Sequence, residues 1–281
     1  MYPPNSSILY SILRDQAKKD EILWLDSINK TDPKELLASF VKAPRHLGKS
    51  IIYQSNFNLI PEIPGFHVDQ WNLVRLSRVW FLTFLFALPK EEFIKKVETL
   101  FDTAELNELV ALFSALPLLP YPEVWLAKAT DAVRSNMGSV FDAIALNNPF
   151  PYHNFTELAW NQLVLKTIFN NKPIELVYGL SKRKNLNLSL SIIDFIKERW
   201  AAGREVPSNV WQLVVPFLSE SEITLIESLF QSQREEDLIA ASLVCHEMNH
   251  KGFQTLFTKY PKYEEDIQKG KWNWSNLVTV P

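Results

Sequence analysis

Apolar residues recur every three or four positions along most of the chain, a spacing that places them on one face of an α-helix. The segment after Pro122 is the clearest case, with an apolar stripe from Leu126 through Val133 to Ile144. Asn147-Asn148-Pro149 then marks its end. Alternation of apolar and polar residues, typical of strands, is nearly absent. Only 7 of the 281 residues are glycine, which leaves little material for hairpin turns or phosphate-binding loops. The sequence therefore predicts an all-α protein.

Capping residues and prolines mark the ends of the predicted helices. Asp32 followed by Pro33 is a typical helix start, and Ser219 with Glu222 has the spacing of a capping box. Gly203 is a suitable residue to end a helix, because it tolerates the left-handed backbone conformation. Further predicted helices are one capped by Asp69 from about Trp71 to Leu88, one capped by Thr103, one from Pro122 to about Ile144, one from about Phe155 to Asn170, and one from about Glu235 to Tyr260.

The connections between these predicted helices are short, which places consecutive helices in antiparallel pairs. We therefore expect one all-α domain over residues 1–281, either a large helical bundle or an α-solenoid-like stack. The stretch from His46 to Pro64 contains enough apolar residues to cover the core. The tail from about residue 261 is expected to pack on the body.

Composition excludes several classes of function. The net charge of −3 gives no general attraction to nucleic acid, so we expect no nucleic-acid partner. The single cysteine, Cys245, is typical of a reducing compartment. The apolar run from Val79 to Leu88 is too short to span a bilayer, and the N-terminus does not resemble a signal peptide. These features predict a cytoplasmic protein that does not span the membrane.

One enzymatic motif occurs near the C-terminus, where His246, Glu247 and His250 form H-E-x-x-H within a predicted helix. Histidines four residues apart share a helix face and can bind zinc, while the glutamate can act as a general base. The longer zinc-peptidase pattern is absent, and Glu264 and Glu265, the conceivable third ligands, follow Pro261 and a turn. The histidines also lie on an apolar stripe, so we expect no metal and keep a zinc hydrolase only as an alternative.

A second unusual region combines polar and aromatic side chains on three predicted helices. Asn161 is placed among apolar neighbours, so its amide must find a partner. These residues either brace the helices through hydrogen bonds or line a ligand pocket. The candidate ligand-binding residues are Arg134, Asn136, Trp160, Asn161, Lys166, Arg199 and Trp200.

Several strings in this part of the chain resemble the EboA family. They are residues 104–112 (AELNELVAL), 115–122 (ALPLLPYP), 134–137 (RSNM), 141–151 (FDAIALNNPFP), 159–162 (AWNQ), 164–166 (VLK) and 198–204 (ERWAAGR). The resemblance is dense from about residue 103 to residue 217 and weak towards both ends. The loop at residues 179–185 (GLSKRKN) departs from the family's usual form, and the H-E-x-x-H motif lies outside the similar region.

The resemblance implies a bacterial cytoplasmic protein encoded in the Ebo gene cluster, which is associated with moving secondary-metabolite precursors across or towards the membrane. It supplies no catalytic residues and no cofactor. We therefore expect a non-catalytic binding or adaptor protein, with a small aromatic or prenylated metabolite as ligand. Possible protein partners are other products of the cluster, including a membrane protein that resembles prenyltransferases. An enzyme of unknown reaction that acts on such a metabolite remains the alternative.

Overall fold

The computed structural model describes residues 4–54 and 59–277. Over these residues the chain forms α-helices and short 3-10 turns with no β-strand, and an antiparallel bridge joins Ile51 to Asn72. The all-α prediction is confirmed. The helices form two compact units, of which unit 1 contains Met1–Trp160 with Leu176–Tyr178 and unit 2 contains Asn161–Glu175 with Gly179–Pro281.

Unit 1 is built mainly from helices of 8 to 14 residues. They are α1 (Pro4–Gln16), α2 (Lys19–Ser27), α3 (Pro33–His46), α4 (Leu73–Phe84), α5 (Lys90–Thr103), α6 (Leu106–Ala115), α7 (Pro122–Arg134), α8 (Gly138–Ala145) and the short α9 (Phe150–Asn154). The next helix, α10 (Glu157–Phe169), contains the boundary between the units at residues 160 and 161.

Helix α4 lies at the centre of unit 1. Its residues are apolar apart from Arg75, Ser77, Arg78 and Thr83, and Arg75 is its only residue that is not buried. A helix of this composition must be surrounded by other elements. It packs against α1, α3 and α6, and α6 in turn packs against α8. This arrangement around a central helix is that of a helical bundle.

Unit 2 continues from α10 with longer connections. Its further helices are α11 (Leu186–Ala201), α12 (Ile223–Leu229), α13 (Glu235–Glu247), α14 (Lys251–Lys259) and α15 (Glu264–Gln268). Helix α13 is central here, since it contacts α12, α14, α15 and the 3-10 segment Ser208–Leu213. In the tail, Ile267 and Leu277 are buried, and α15 lies against α13.

Several predicted helix ends are confirmed. The Asp32 carboxylate accepts a hydrogen bond from the Lys34 N–H at the start of α3, at 2.9 Å. Ser219 and Glu222 form a capping box, although a 3-10 turn precedes α12 there. Gly203 follows α11 with a φ of 67°. Residues close to each end in the sequence, through a capping side chain or a left-handed glycine, therefore determine where these helices begin or stop.

Other predicted ends were wrong. The N-cap of α4 is Asn72, whose side chain accepts from the Arg75 N–H at 2.8 Å, whereas Asp69 accepts from the Gln54 N–H at 2.9 Å. Thr103 lies in the last turn of α5. The next helix, α6, begins instead after Glu105, whose N–H donates to the Glu108 carboxylate at 3.1 Å.

Two long predicted helices are each broken in two. The helix expected from Pro122 to about Ile144 stops at Arg134 and resumes at Gly138, because Ser135 and Met137 are extended. The helix expected from about Glu235 to Tyr260 is interrupted at Met248, which is also extended. Apolar periodicity continues through both breaks, so it did not reveal them.

Among the residues that the structure describes, no helix is both long enough and apolar enough to cross a bilayer.

Candidate functional site

The structure places the seven residues predicted to bind a ligand in different environments. Arg134 and Asn136 are exposed at the end of α7 and just after it, and the Arg134 guanidinium donates to the Asp131 carboxylate. Trp160 is fully buried in unit 1, where it makes an edge-to-face contact with Tyr152 at a centroid distance of 6.5 Å. The other four residues belong to unit 2.

Asn161 is buried and paired, as its apolar surroundings required. Its side-chain amide donates to the Asn185 oxygen at 3.0 Å, and the Asn185 amide donates back to the Asn161 oxygen at 2.8 Å. Asn185 also caps α11 by accepting from the Leu188 N–H at 2.9 Å. This reciprocal pair joins α10 to the start of α11.

The remaining three predicted residues also have neighbours within unit 2. The Arg199 guanidinium donates twice to the Glu205 carbonyl, at 3.0 and 2.8 Å, and lies 5.6 Å from the Phe195 ring. Trp200 is half-buried, with its ring 6.0 Å from that of Trp211. Burial lowers the pKa of Lys166. These contacts fit a bracing role, and the ligand-binding role remains a prediction.

The H-E-x-x-H residues do not share a helix face, contrary to the prediction. His246 and Glu247 end α13, while His250 is the N-cap of α14 and its Nδ1 accepts from the Gly252 N–H at 3.2 Å. The other ring nitrogen of His250 lies 2.9 Å from the Glu220 carboxylate. Within the described residues, no group of three or more His, Cys, Asp or Glu side chains is placed to hold a metal ion.

Cys245 is fully buried in α13, and burial raises its pKa to about 12. A thiol that stays protonated near neutral pH is a poor nucleophile. Its position is that of a small core residue.

A different set of residues converges in unit 1, around the two arginines of α4. Arg78 is buried and makes an ion pair with Glu108 of α6 at 3.0 Å. Its Nε also donates to the Phe40 carbonyl of α3 at 2.9 Å. The charge of Arg78 is thus neutralised inside the unit, and the pair holds α3, α4 and α6 together.

Arg75 lies one turn earlier on α4 and is neutralised less completely. Its Nε donates to the Ser114 hydroxyl at 2.8 Å, and its guanidinium lies 4.2 Å from the centre of the Trp71 ring. Burial lowers the pKa of Arg75 to about 9, and attraction to Asp142 opposes that shift. The guanidinium is therefore charged at neutral pH in an environment that disfavours the charge.

These arginines border a cavity of about 260 Å³, which we call the Arg75 cleft. The residues that line it are Pro44, Lys49, Gln70, Trp71, Asn72, Val74, Arg75, Arg78, Asn107 and Val110. Gln70 has a φ of 61°, a left-handed conformation that costs a non-glycine residue about 1–2 kcal/mol. Strained backbone of this kind is often found at binding sites.

Sequence reasoning missed this cleft. The available signal was a pair of arginines three residues apart in the predicted helix that contains the apolar run from Val79 to Leu88, since buried cations require partners or a ligand. The helix was interpreted only as a buried core element. The partners Ser114 and Asp142 are distant in sequence and could not be assigned.

Unit 2 contains a larger cavity, of about 370 Å³, between the 3-10 segment at Ser208 and the start of α13. Its arginine, Arg234, is already engaged by the Glu236 carboxylate at 2.7 Å and the Val206 carbonyl at 3.2 Å. The residues that line this cavity are Asn171, Lys172, Pro173, Glu175, Pro207, Ser208, Asn209, Arg234, Glu236 and Leu277.

Comparison with family models decides the identity of the chain. The model described as metabolite traffic protein EboA matches residues 5–215.

The chain belongs to the EboA family.

The match includes the N-terminal helices of this EboA chain, which precede the region from about residue 103 where the resemblance of its sequence to the family is dense. It ends close to the predicted limit of residue 217. All residues that line the Arg75 cleft fall inside the EboA match, whereas Arg234 and the H-E-x-x-H residues fall outside it. Comparison with curated proteins and with solved structures gave no match.

Proposed function

We propose that this chain is a binding protein of metabolite traffic, which holds a small molecule in the Arg75 cleft without converting it chemically. The observation that carries the proposal is the composition of that cleft. Its described lining residues provide lysine, arginine, amide and indole groups, and no histidine, cysteine, aspartate or glutamate. Arginine, amide and indole groups bind and orient a ligand but are poorly suited to general acid–base or nucleophilic catalysis near neutral pH, and the one lysine, Lys49, has no histidine or carboxylate beside it in the lining to act as a partner.

The family supports the same proposal. Its description is metabolite traffic, a role that requires selective binding and release. The cleft lies wholly within the matched residues, so it is a feature of the family-like part of the chain. Its volume of about 260 Å³ suits a small compound or one end of a longer one.

The ligand and partners implied by the resemblance form the finer part of the proposal. They are a small aromatic or prenylated metabolite, and other proteins of the Ebo cluster, including a membrane protein that resembles prenyltransferases. Trp71 and the apolar residues Val74 and Val110 provide the surface that an aromatic ring or a short hydrocarbon group would contact.

The residues predicted from sequence remain a second location for the same function. Substitutions of Arg75 and of Arg199 test the two locations separately, because Arg75 belongs to unit 1 and Arg199 to unit 2. Loss of metabolite binding in Arg75→Gln but not in Arg199→Gln assigns the ligand to the cleft. The reverse result assigns it to the residues around Asn161.

The test of the function itself begins with protein purified from cells that express the whole gene cluster. Native mass spectrometry should detect a bound small molecule, and chromatography after denaturation should identify it. Incubation of that compound with the purified protein should return it unchanged. A product formed in proportion to protein concentration would overturn the binding proposal in favour of an enzyme, and absence of any bound compound would overturn both.

A further inference from the structure

We propose that the Arg75 cleft selects an organic anion, a small carboxylate or phosphate ester whose charged group binds Arg75. This inference rests on the proposed function and adds the chemical class of the ligand. It is carried by the charge balance of the cleft, by the donors of Arg75 and by the apolar part of the lining.

The first argument concerns charge. The lining contains three cationic side chains, Lys49, Arg75 and Arg78, and no carboxylate among the residues described there. Glu108 neutralises Arg78 at 3.0 Å, and Asp142 of α8, which is not among the lining residues, attracts Arg75. The chain as a whole carries a net charge of −3, so the excess of positive charge in the cleft is local. A cleft of one sign concentrates small ions of the other sign.

The second argument concerns hydrogen bonding by Arg75. A guanidinium has five N–H donors in a planar fork, and the structure assigns one of them, on Nε, to the Ser114 hydroxyl. Within the described part of the chain, its two terminal nitrogens have no hydrogen-bond acceptor. That fork matches the two oxygens of a carboxylate or the oxygens of a phosphate.

The position of Arg75 is also fixed before a ligand binds. Its guanidinium lies over the Trp71 ring at 4.2 Å and is held at Nε by Ser114 on α6. A donor group held in place in advance loses less conformational entropy on binding. Burial has lowered the pKa of Arg75, so an anion would stabilise a charge that the fold itself disfavours.

The third argument separates organic from inorganic anions. Pro44, Trp71, Val74 and Val110 contribute apolar surface to the lining. An inorganic ion leaves this surface in contact with water, whereas a ring or hydrocarbon group attached to the anion covers it. The cleft therefore favours an anion with an apolar body.

The experiment compares four probes by thermal shift and isothermal titration: benzoate, phenyl phosphate, benzamide and inorganic phosphate. Benzamide has the shape of benzoate without its charge. We expect benzoate or phenyl phosphate to bind the wild-type protein at least about tenfold more tightly than benzamide, in line with one charge-assisted hydrogen-bonded pair. Inorganic phosphate should bind more weakly than phenyl phosphate.

Two substitutions locate the effect. Arg75→Gln should remove the preference for the charged probes, while Arg14→Gln, at an exposed arginine of α1, should keep it. Because Arg75→Gln alters a packed helix, Asn107→Asp provides a second variant. Asn107 is exposed at the second position of α6, where an acidic residue favours the helix. The Asn107→Asp substitution should weaken binding of the charged probes at least about threefold through like-charge repulsion and leave binding of benzamide unchanged.

Ser139→Asp is the matched control for Asn107→Asp, because Ser139 is exposed at the second position of α8 and does not line the cleft. Equal effects of the two substitutions, or equal affinity for benzoate and benzamide, would overturn the anion inference. If the bound metabolite described above is found and proves uncharged, the inference fails while the binding function stands.

Discussion

The ion pair between Arg78 and Glu108 offers a quantitative test of how unit 1 is held together. The side chains are 3% and 8% exposed, so each charge depends on the other for compensation. Removing one member of a buried pair typically lowers the free energy of unfolding by about 3–5 kcal/mol, because it leaves an uncompensated charge. Arg78→Met should therefore cost about that much, since methionine fills similar space and donates no hydrogen bond.

Glu108→Gln should cost less, about 2 kcal/mol, because the amide oxygen still accepts from Arg78, although the amide nitrogen replaces the oxygen that accepts from the Glu105 N–H. In the double variant both charges are absent. Its cost should fall below the sum of the single costs by about 2 kcal/mol, the coupling expected for residues in direct contact.

The assay is urea unfolding followed by far-ultraviolet circular dichroism, with the transition of unit 1 analysed if the two units unfold separately. Lys128→Met is the control, because Lys128 pairs with Asp102 at a similar distance, 3.1 Å, but at the surface of unit 1. It should cost less than about 1 kcal/mol. A cost for Arg78→Met as small as that of the control, or strictly additive costs in the double variant, would refute the reasoning.

Three further predictions concern unit 2. Asn161→Ala should lower the free energy of unfolding by about 1–3 kcal/mol, because it removes both hydrogen bonds that join Asn161 to Asn185. Adding it to Asn185→Ala should cost little more, and additive losses in urea unfolding would contradict the reciprocal pair. The Cys245 thiol, whose pKa burial raises to about 12, should react with a disulfide reagent at pH 8 only after unfolding; labelling of the native protein at the rate of free cysteine would show that the thiol is accessible. His250→Ala should lower the free energy of unfolding by about 1 kcal/mol through loss of the α14 cap. Elemental analysis of the wild-type protein should find no stoichiometric zinc. One zinc per chain, lost in His246→Ala and in His250→Ala, would restore the zinc hydrolase hypothesis.

The H-E-x-x-H segment shows why a motif alone did not define a site. The spacing of His246 and His250 is that of two ligands on one helix face, provided that the helix continues. The helix instead ends at Glu247, and His250 begins the next one as its cap. Short-range spacing carried no information about that interruption.

The sequence by itself determined the fold class and many helix ends. Periodic apolar residues, a shortage of glycine and capping side chains such as Asp32 act within a few residues of chain, so they are readable in one dimension. The same local strings also indicated the EboA family, which the match over residues 5–215 then showed.

Only the tertiary structure decided where the functional groups meet. Arg75 of α4 reaches Ser114 of α6 and is attracted by Asp142 of α8, across dozens of residues of intervening chain. The partner of Asn161, Asn185, is likewise on another element. Such pairings arise because helices pack to bury apolar surface, and each buried polar group must then be satisfied by whichever side chain the packing brings near. A periodic pattern specifies which face of a helix is buried, but it does not specify which neighbour covers that face.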